Sequence, residues 1–504
     1  MPTTILKTRD GKLDDDDRHK LVILAERLSA RPSNVLLYLH GGLVDLVSAD
    51  AMANRLSATG DASFNIGDDW EQVYILWRTG LVETIRTNWS DIFHNDPLYA
   101  AMFKRMVSFV SSRFGDGRGG RGDLLGSPMS DFEIETRMKS TRPMPFGSLD
   151  LLAESEARGG LVETTDDTVR SELEVALTND HDLIAIGDNI DAVVAKDTSG
   201  SSRSTSVGDT DAGRRTLGLV DAQIREEWSK VGPIAPGRAF VSGGTLLSLA
   251  RHGIEIGLRV VQRFRTSRDH GVHATIAEEI AREFYGDRIG ASVWKMMVDD
   301  AAQHFLDDGL GSEILNVLKP LENVRLVIVG HSAGSIWATE MLTARKKIAN
   351  QAPIDLVLLA PAVRISKFAE MLRVAAEDIR LFRLFAMTDV QEKADALLGP
   401  GFGFIYPSSL LYLVSGLFEI RQDLGYHDAP LLGMERFISE TGASPEEDDE
   451  AQAVSEVRHF LAAAPSRIVL SGSSSKEGLR SSALSHGGFN DDPETLKSIL
   501  HYIS

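Results

Sequence analysis

The chain has 504 residues, 43% hydrophobic and 25% charged, which is globular composition with length enough for a large core and more than one lobe. Its formal charge of −20 repels a polyanion on average and argues against nucleic acid as a partner. With no cysteine it has no disulfide, no thiolate metal site and no thiol nucleophile.

The N-terminus, MPTTILKTRDGKLDDDD, lacks the basic region and apolar run of a secretory signal. Asp14 to Asp17 read as a solvated turn, because the glycine and terminal glutamate of a calcium loop are missing. Residues 19–30 read as a helix, and residues 1–34 as a segment preceding the core. The longest apolar stretch, about Ala239 to Val261, is interrupted by Arg251, His252, Glu255 and Arg259. No stable membrane span is therefore expected, and the expected setting is the cytoplasm.

Short continuous apolar runs follow at Val35–Leu39, Val73–Trp77, Val324–Val329, Leu356–Leu359, Leu381–Met387 and Arg467–Leu470. Such runs suit strands covered on both faces of a parallel sheet. Helical patterns separate most of them, for example Ile336–Lys347 and Ser366–Asp378. The expected class is α/β, a doubly wound, mostly parallel sheet. Residues 35–90 and 319–504 form that core.

Residues 91–318 exceed what one crossover requires and read as an insertion, helical and partly disordered, acting as a cap. Residues 112–128 are rich in Gly and Arg, and 196–215 in Ser, Gly and Thr, so both read as flexible loops. Helices are expected at Phe240–Arg265, Ile276–Tyr285 and Ala291–Leu306. Glu278, Glu279 and Trp294 fall on amphipathic helices and read as structural. Ser408–Glu419 reads as a helix capped by Ser408.

The strongest chemical signal is Gly330-His331-Ser332-Ala333-Gly334, a G-x-S-x-G motif after an apolar strand and before a helix. A strand-to-helix turn this tight strains the central residue and leaves no room for bulky neighbours. Ser332 then stands at a helix N-terminus, where developing negative charge is favoured. No phosphate-binding or dinucleotide fingerprint is present, since glycine-rich Gly117–Gly122 lacks its flanking strand and helix. Asp423 and Asp428 lack metal-ligand spacing, so neither metal nor cofactor is expected.

On this motif the chain resembles the α/β-hydrolase superfamily over residues 35–90 and 319–504; no subfamily is identified. The resemblance implies a nucleophile, acid and base in that chain order, each after a strand. Ser332 is the implied nucleophile. Asp389, just past Leu381–Met387, is the implied acid, with Glu392 and Asp395 as alternatives. His486, in SHGGFNDD after the last strand, is the implied base, ahead of His427, His459 and His501. His40-Gly41-Gly42 resembles an oxyanion loop, with the N–H groups of Gly42 and Ala333 as donors and Leu43 a substitute for Gly42. The motif runs HGGL, not HGGG, which does not support the hormone-sensitive-lipase-like group. Trp77-Arg78-Thr79-Gly80 ends a strand at the same edge, as a pocket wall or merely a strand end.

The implied activity is a serine hydrolase, esterase- or lipase-like, cleaving a small or lipid-like carboxylic ester through an acyl-enzyme. Amide, peptide or thioester cleavage and acyl transfer are alternatives on the same triad. A non-catalytic binding or signalling module on this fold is the alternative of another class.

Overall fold

The apolar runs become strands, and those at the centre of the sheet have no solvent face. The computed structural model describes the chain except residues 1, 43–44, 59, 61–62, 78–80, 115–128, 141, 143, 156–158, 200–209, 232–243, 287, 320–323, 347–352, 398, 400–402, 404, 420–427, 441, 443–448, 473–475 and 504. Its sheet has eight strands: β1 Thr3–Arg9, β2 Lys12–Leu13, β3 Asn34–Leu39, β4 Trp70–Trp77, β5 Leu326–His331, β6 Ile354–Leu359, β7 Ile379–Ala386 and β8 Ile468–Leu470. Their order is β2-β1-β4-β3-β5-β6-β7-β8, and every pair is parallel except β1–β2. Each residue of β4, β5 and β6 is buried, so both faces are covered, as the apolar runs require. The mostly parallel α/β architecture expected from the sequence is present.

The sequence reading left out β1. Residues Thr3–Arg9 alternate between buried and part-exposed positions and pair in parallel with β4 from Thr3↔Gln72 to Thr8↔Trp77. The segment that read as preceding the core is therefore part of the sheet. The acidic run after β2 is a 3-10 turn with Asp17 buried, where its carboxylate accepts the Lys7 N–H at 2.7 Å.

The order β4-β3-β5-β6 places a switch point at the centre of the sheet. The chain leaves β3 toward β4 on one side and leaves β5 toward β6 on the other. Leu39 pairs with Gly330, so the loops after β3 and β5 emerge side by side at the carboxyl edge, where such sheets bind ligands.

The region between β4 and β5 is helical among its described residues. Its long helices include Pro97–Ser111, His181–Ser199, Gly244–Arg265, Val272–Phe284 and Ala291–Gln303. Of the two stretches that read as flexible, 115–128 and 200–209 lie outside the described residues. The ends of the second are helical, in His181–Ser199 and Thr210–Leu219. This region shares one continuous apolar core with the sheet. Helices Ala291–Gln303 and Leu310–Leu318 also pack on Gly334–Arg345, the helix that follows β5.

A buried ionic network adds to that seam. The Arg263 side chain is fully buried and donates to Glu278 at 2.6 Å and Glu279 at 3.1 Å. Glu278 also accepts from Tyr406 at 2.5 Å and from His270 Nδ1 at 2.8 Å. His270 Nε2 faces Asp428 at 3.2 Å, and Arg268 donates to the same carboxylate. Both His270 nitrogens thus meet carboxylates. Burial favours the neutral form of Glu278, but His270 and Arg263 outweigh it and hold this carboxyl well below its ordinary range. Asp428, whose spacing did not suggest a metal site, is engaged by Arg268 and His270; Asp423 lies outside the described residues.

The stretch Ser408–Glu419 is one helical turn, Leu410–Leu413, widening into a π-turn at Val414–Phe418. Ser409, not Ser408, caps it: its Oγ accepts from Tyr412 N–H. No helix among the described residues is long and apolar enough to cross a membrane.

Candidate active site

Ser332 sits where β5 turns into the helix Gly334–Arg345 and has φ 51°. A non-glycine residue there is strained by about 1–3 kcal/mol and needs surroundings that enforce it. They do so here through the backbone. Ser332 N–H donates to Leu359 C=O at 2.8 Å, and its own C=O accepts from Ala362 N–H at 3.1 Å and Ser335 Oγ at 2.6 Å. Gly334 makes the tight turn possible, since a Cβ there would lie 2.3 Å from the Leu39 carbonyl oxygen.

His486 opens a 3-10 turn, His486–Asn490, after β8. Its Nε2 lies 2.8 Å from Ser332 Oγ, placed to accept that proton. Both residues are buried. Desolvation pushes the imidazole down to about 3, with His331 adding in the same direction. The ring is therefore neutral at physiological pH, as a general base must be.

Asp389 does not meet this histidine. The Asp389 carboxylate accepts from Tyr412 Oη and pairs with Lys393 at 3.0 Å. Burial favours its neutral form, but Lys393 and Arg436 outweigh burial and keep it below the usual range. The cause is local. A Thr388–Gln391 capping box starts the helix Asp389–Ala394. This places Asp389 in the first turn, four residues from Lys393. Asp395 ends the helix, and its Oδ2 accepts the His486 backbone N–H at 2.7 Å. Burial raises the Asp395 carboxyl above its ordinary range. His486 Nδ1 has no hydrogen-bond partner among the described residues. Glu392 turns away to Ser409, and burial pushes its carboxyl well above its ordinary range.

The loop after β3 reaches the serine. A Cβ on Gly41 would lie 3.0 Å from Ser332 Cβ, and one on Gly42 would lie 3.2 Å from Ala333 Cβ and collide with Met297. Gly42 and Ala333 are thus adjacent, and neither N–H donates to a loop or turn carbonyl among the described residues. Leu43 lies outside the described residues, as do Arg78, Thr79, Gly80 and His427.

Two histidines that the sequence reading did not use hold these loops. His40 Nδ1–H donates to the Gly41 carbonyl at 2.7 Å, and its Nε2 accepts Trp77 N–H at 3.1 Å. Desolvation brings it down to about 4, so it is neutral and its tautomer fixed. Trp77 itself packs edge-on against His40 and His304. His331 Nε2–H donates to the His486 carbonyl at 2.9 Å, and the two rings stack with centroids 5.7 Å apart. The serine and the histidine are thereby tied together twice. Nothing in the sequence separates this His331 from any residue at the variable position of the motif.

No group of His, Cys, Asp or Glu able to hold a metal ion occurs among the described residues. No family model, curated protein or solved structure matches the chain.

Proposed function

We propose that the protein is a serine hydrolase of the α/β-hydrolase type, with Ser332 as nucleophile and His486 as base. The single observation that carries this reading is the 2.8 Å contact between Ser332 Oγ and the neutral, buried His486 Nε2. It is supported by the left-handed backbone of Ser332 and by the position of both groups at the sheet's switch point. In this reading His486 takes the hydroxyl proton while Ser332 Oγ attacks an acyl carbonyl. The N–H groups of Gly42 and Ala333 receive the developing oxyanion, each donor contributing about 3–4 kcal/mol. His486 then protonates the leaving group, and water, activated by the same histidine, releases the acid.

We assign the orienting acid to Asp395 in place of Asp389. When Nε2 accepts from serine, Nδ1 carries the proton, and an unpaired buried N–H costs about 1–3 kcal/mol. Asp395 already bonds the backbone of the same residue. A side-chain rotation that shares its carboxylate with Nδ1 on substrate binding satisfies that donor, in keeping with catalytic bonds that tighten in the Michaelis complex.

A carboxylic ester is the proposed substrate, since an alkoxide leaving group requires less protonation than an amide nitrogen. The test is a panel of p-nitrophenyl esters of increasing chain length, with wild type and Ser332→Ala. Turnover by wild type with none above background in the variant supports the reading. Folded wild type inert on every ester refutes ester hydrolysis.

A further inference from the structure

A second concave site lies at the seam between the helical insertion and the sheet. It is a cavity of about 350 Å³, within the range that takes a small organic molecule. Met144 and Leu151 line it from the insertion, and Val390 lines it from the helix after β7. All three are conspicuously open to solvent, at 37%, 71% and 75% exposure. Large apolar side chains scattered singly over a surface need no explanation, but three converging on one cavity from two distant segments of the chain mark a binding surface.

The polar groups of the cavity define what it accepts. Lys393 is already paired, 2.7 Å from Glu154 and 3.0 Å from Asp389. His270 has both nitrogens committed to carboxylates. Asp150 is different. Its Oδ1 accepts the Val272 N–H at 2.6 Å, capping the helix Val272–Phe284 from outside. Its Oδ2 receives neither a hydrogen bond nor an ion pair from any described residue. A carboxylate oxygen in an apolar recess, with no cation of its own, is complementary to a positive group.

We propose that this cavity binds a small organic cation, an ammonium group on an apolar body. Asp150 receives the ammonium, and Met144, Leu151 and Val390 pack on the body. An anionic ligand is disfavoured because the one ammonium in the wall is matched by two carboxylates. Burial, together with Asp269 and Glu154, pushes the Asp150 carboxyl up to about 7, against the opposing pull of Lys393. A bound ammonium favours the ionised form, so affinity rises with pH through that value, and binding releases a proton below it.

The experiment is calorimetric titration of the full chain with hexylammonium, with hexanol and hexanoate as controls. Hexylammonium binds about tenfold or more tightly than either control, the margin of one charge-assisted contact. Asp150→Asn keeps an Oδ1 acceptor for Val272 N–H, so the helix cap survives while the preference for the cation disappears. Wild-type affinity for hexylammonium climbs between about pH 6 and about pH 8, where the ligand stays cationic, and the Asp150→Asn profile is flat. Equal affinities for the ligands, no binding at all, or an unchanged preference in Asp150→Asn overturns the proposal. Self-association abolished by joint Leu151→Asp and Val390→Asp substitution also overturns it, because the patch then belongs to a second copy. Calorimetry needs no turnover, so the outcome is independent of any role of Ser332.

Discussion

The site around Ser332 and the seam around Arg263 are both buried, yet they treat charge in opposite ways. At the seam the ionic groups are matched with close partners: Arg263 with Glu278 and Glu279, Arg259 with Glu279 and Glu283, Asp428 with Arg268 and His270. Around Ser332 no formal charge among the described residues contacts the hydroxyl, and the three nearby histidines His40, His331 and His486 are all pushed toward neutrality by burial. The difference teaches what each burial is for. A paired buried network fixes one packing of helices and is costly to break. On the proposed reading, an uncharged pocket around Ser332 keeps the histidine neutral and lets a charge that forms during reaction feel fixed dipoles more strongly than in water.

The largest effect expected is at the junction between the two regions, the helix Asp389–Ala394. Asp395→Asn lowers kcat by about 10⁴-fold, the scale of losing the acid that orients a histidine base. Asp389→Asn lowers it by less than about tenfold, because its carboxylate serves Tyr412 and Lys393. Steady-state kinetics on both variants decides between them, and the reverse ranking refutes the assignment.

On the charged side, Arg263→Met strands Glu278 and Glu279 without their fully buried partner. A loss of about 3–5 kcal/mol in unfolding free energy is expected by denaturant titration. A loss under about 1 kcal/mol means that the network does not bind the helices together.

On the neutral side, acid should destabilise the fold through its histidines. His304 accepts from Thr8 Oγ1 at Nε2 and donates to Asp300 C=O at Nδ1, and desolvation lowers it to about 4. A depressed folded value means that the unfolded chain takes up the proton first. The contribution is therefore present above the unfolded value near 6.5 and is lost as pH falls toward 4. Between about pH 7 and pH 5 this amounts to about 2 kcal/mol for one such histidine. Carboxyls raised by burial, such as Glu392 and Asp395, titrate in the opposite sense, so the comparison is between wild type and His304→Gln. The variant should show the smaller acid loss, by about that amount; identical slopes contradict a neutral buried His304.

The smallest expected effect lies at His331. Its N–H on the His486 carbonyl positions the base without touching a reacting atom. His331→Phe should lower kcat by about tenfold, one hydrogen bond's worth, with KM little changed, and His331→Gln should restore part of it. A change in KM alone contradicts a positioning role.

These contrasts were unevenly legible in the sequence. Six of the eight strands announced themselves as short, mostly apolar runs. β1 did not, because the outer position of T-T-I-L-K-T-R leaves alternate side chains part-exposed, and the alternation is masked by polar residues. Ser332 and His486 were legible because strand end, motif and loop position coincide locally. The proposed acid was not: Asp389, Glu392 and Asp395 lie within seven residues, and the choice among them depends on how one short capped helix is turned against a loop about ninety residues away. The seam was only partly legible: Glu278 and Glu279 read as structural residues of an amphipathic helix, but nothing local pairs them with Arg263 until the helices pack together.

Covalent labelling tests the central claim most directly. A fluorophosphonate probe should add to the folded chain in one equivalent, with the modified peptide carrying Ser332, and Ser332→Ala should not label. Folded wild-type protein that stays unlabelled, or a variant that labels as fast as wild type, would contradict the account.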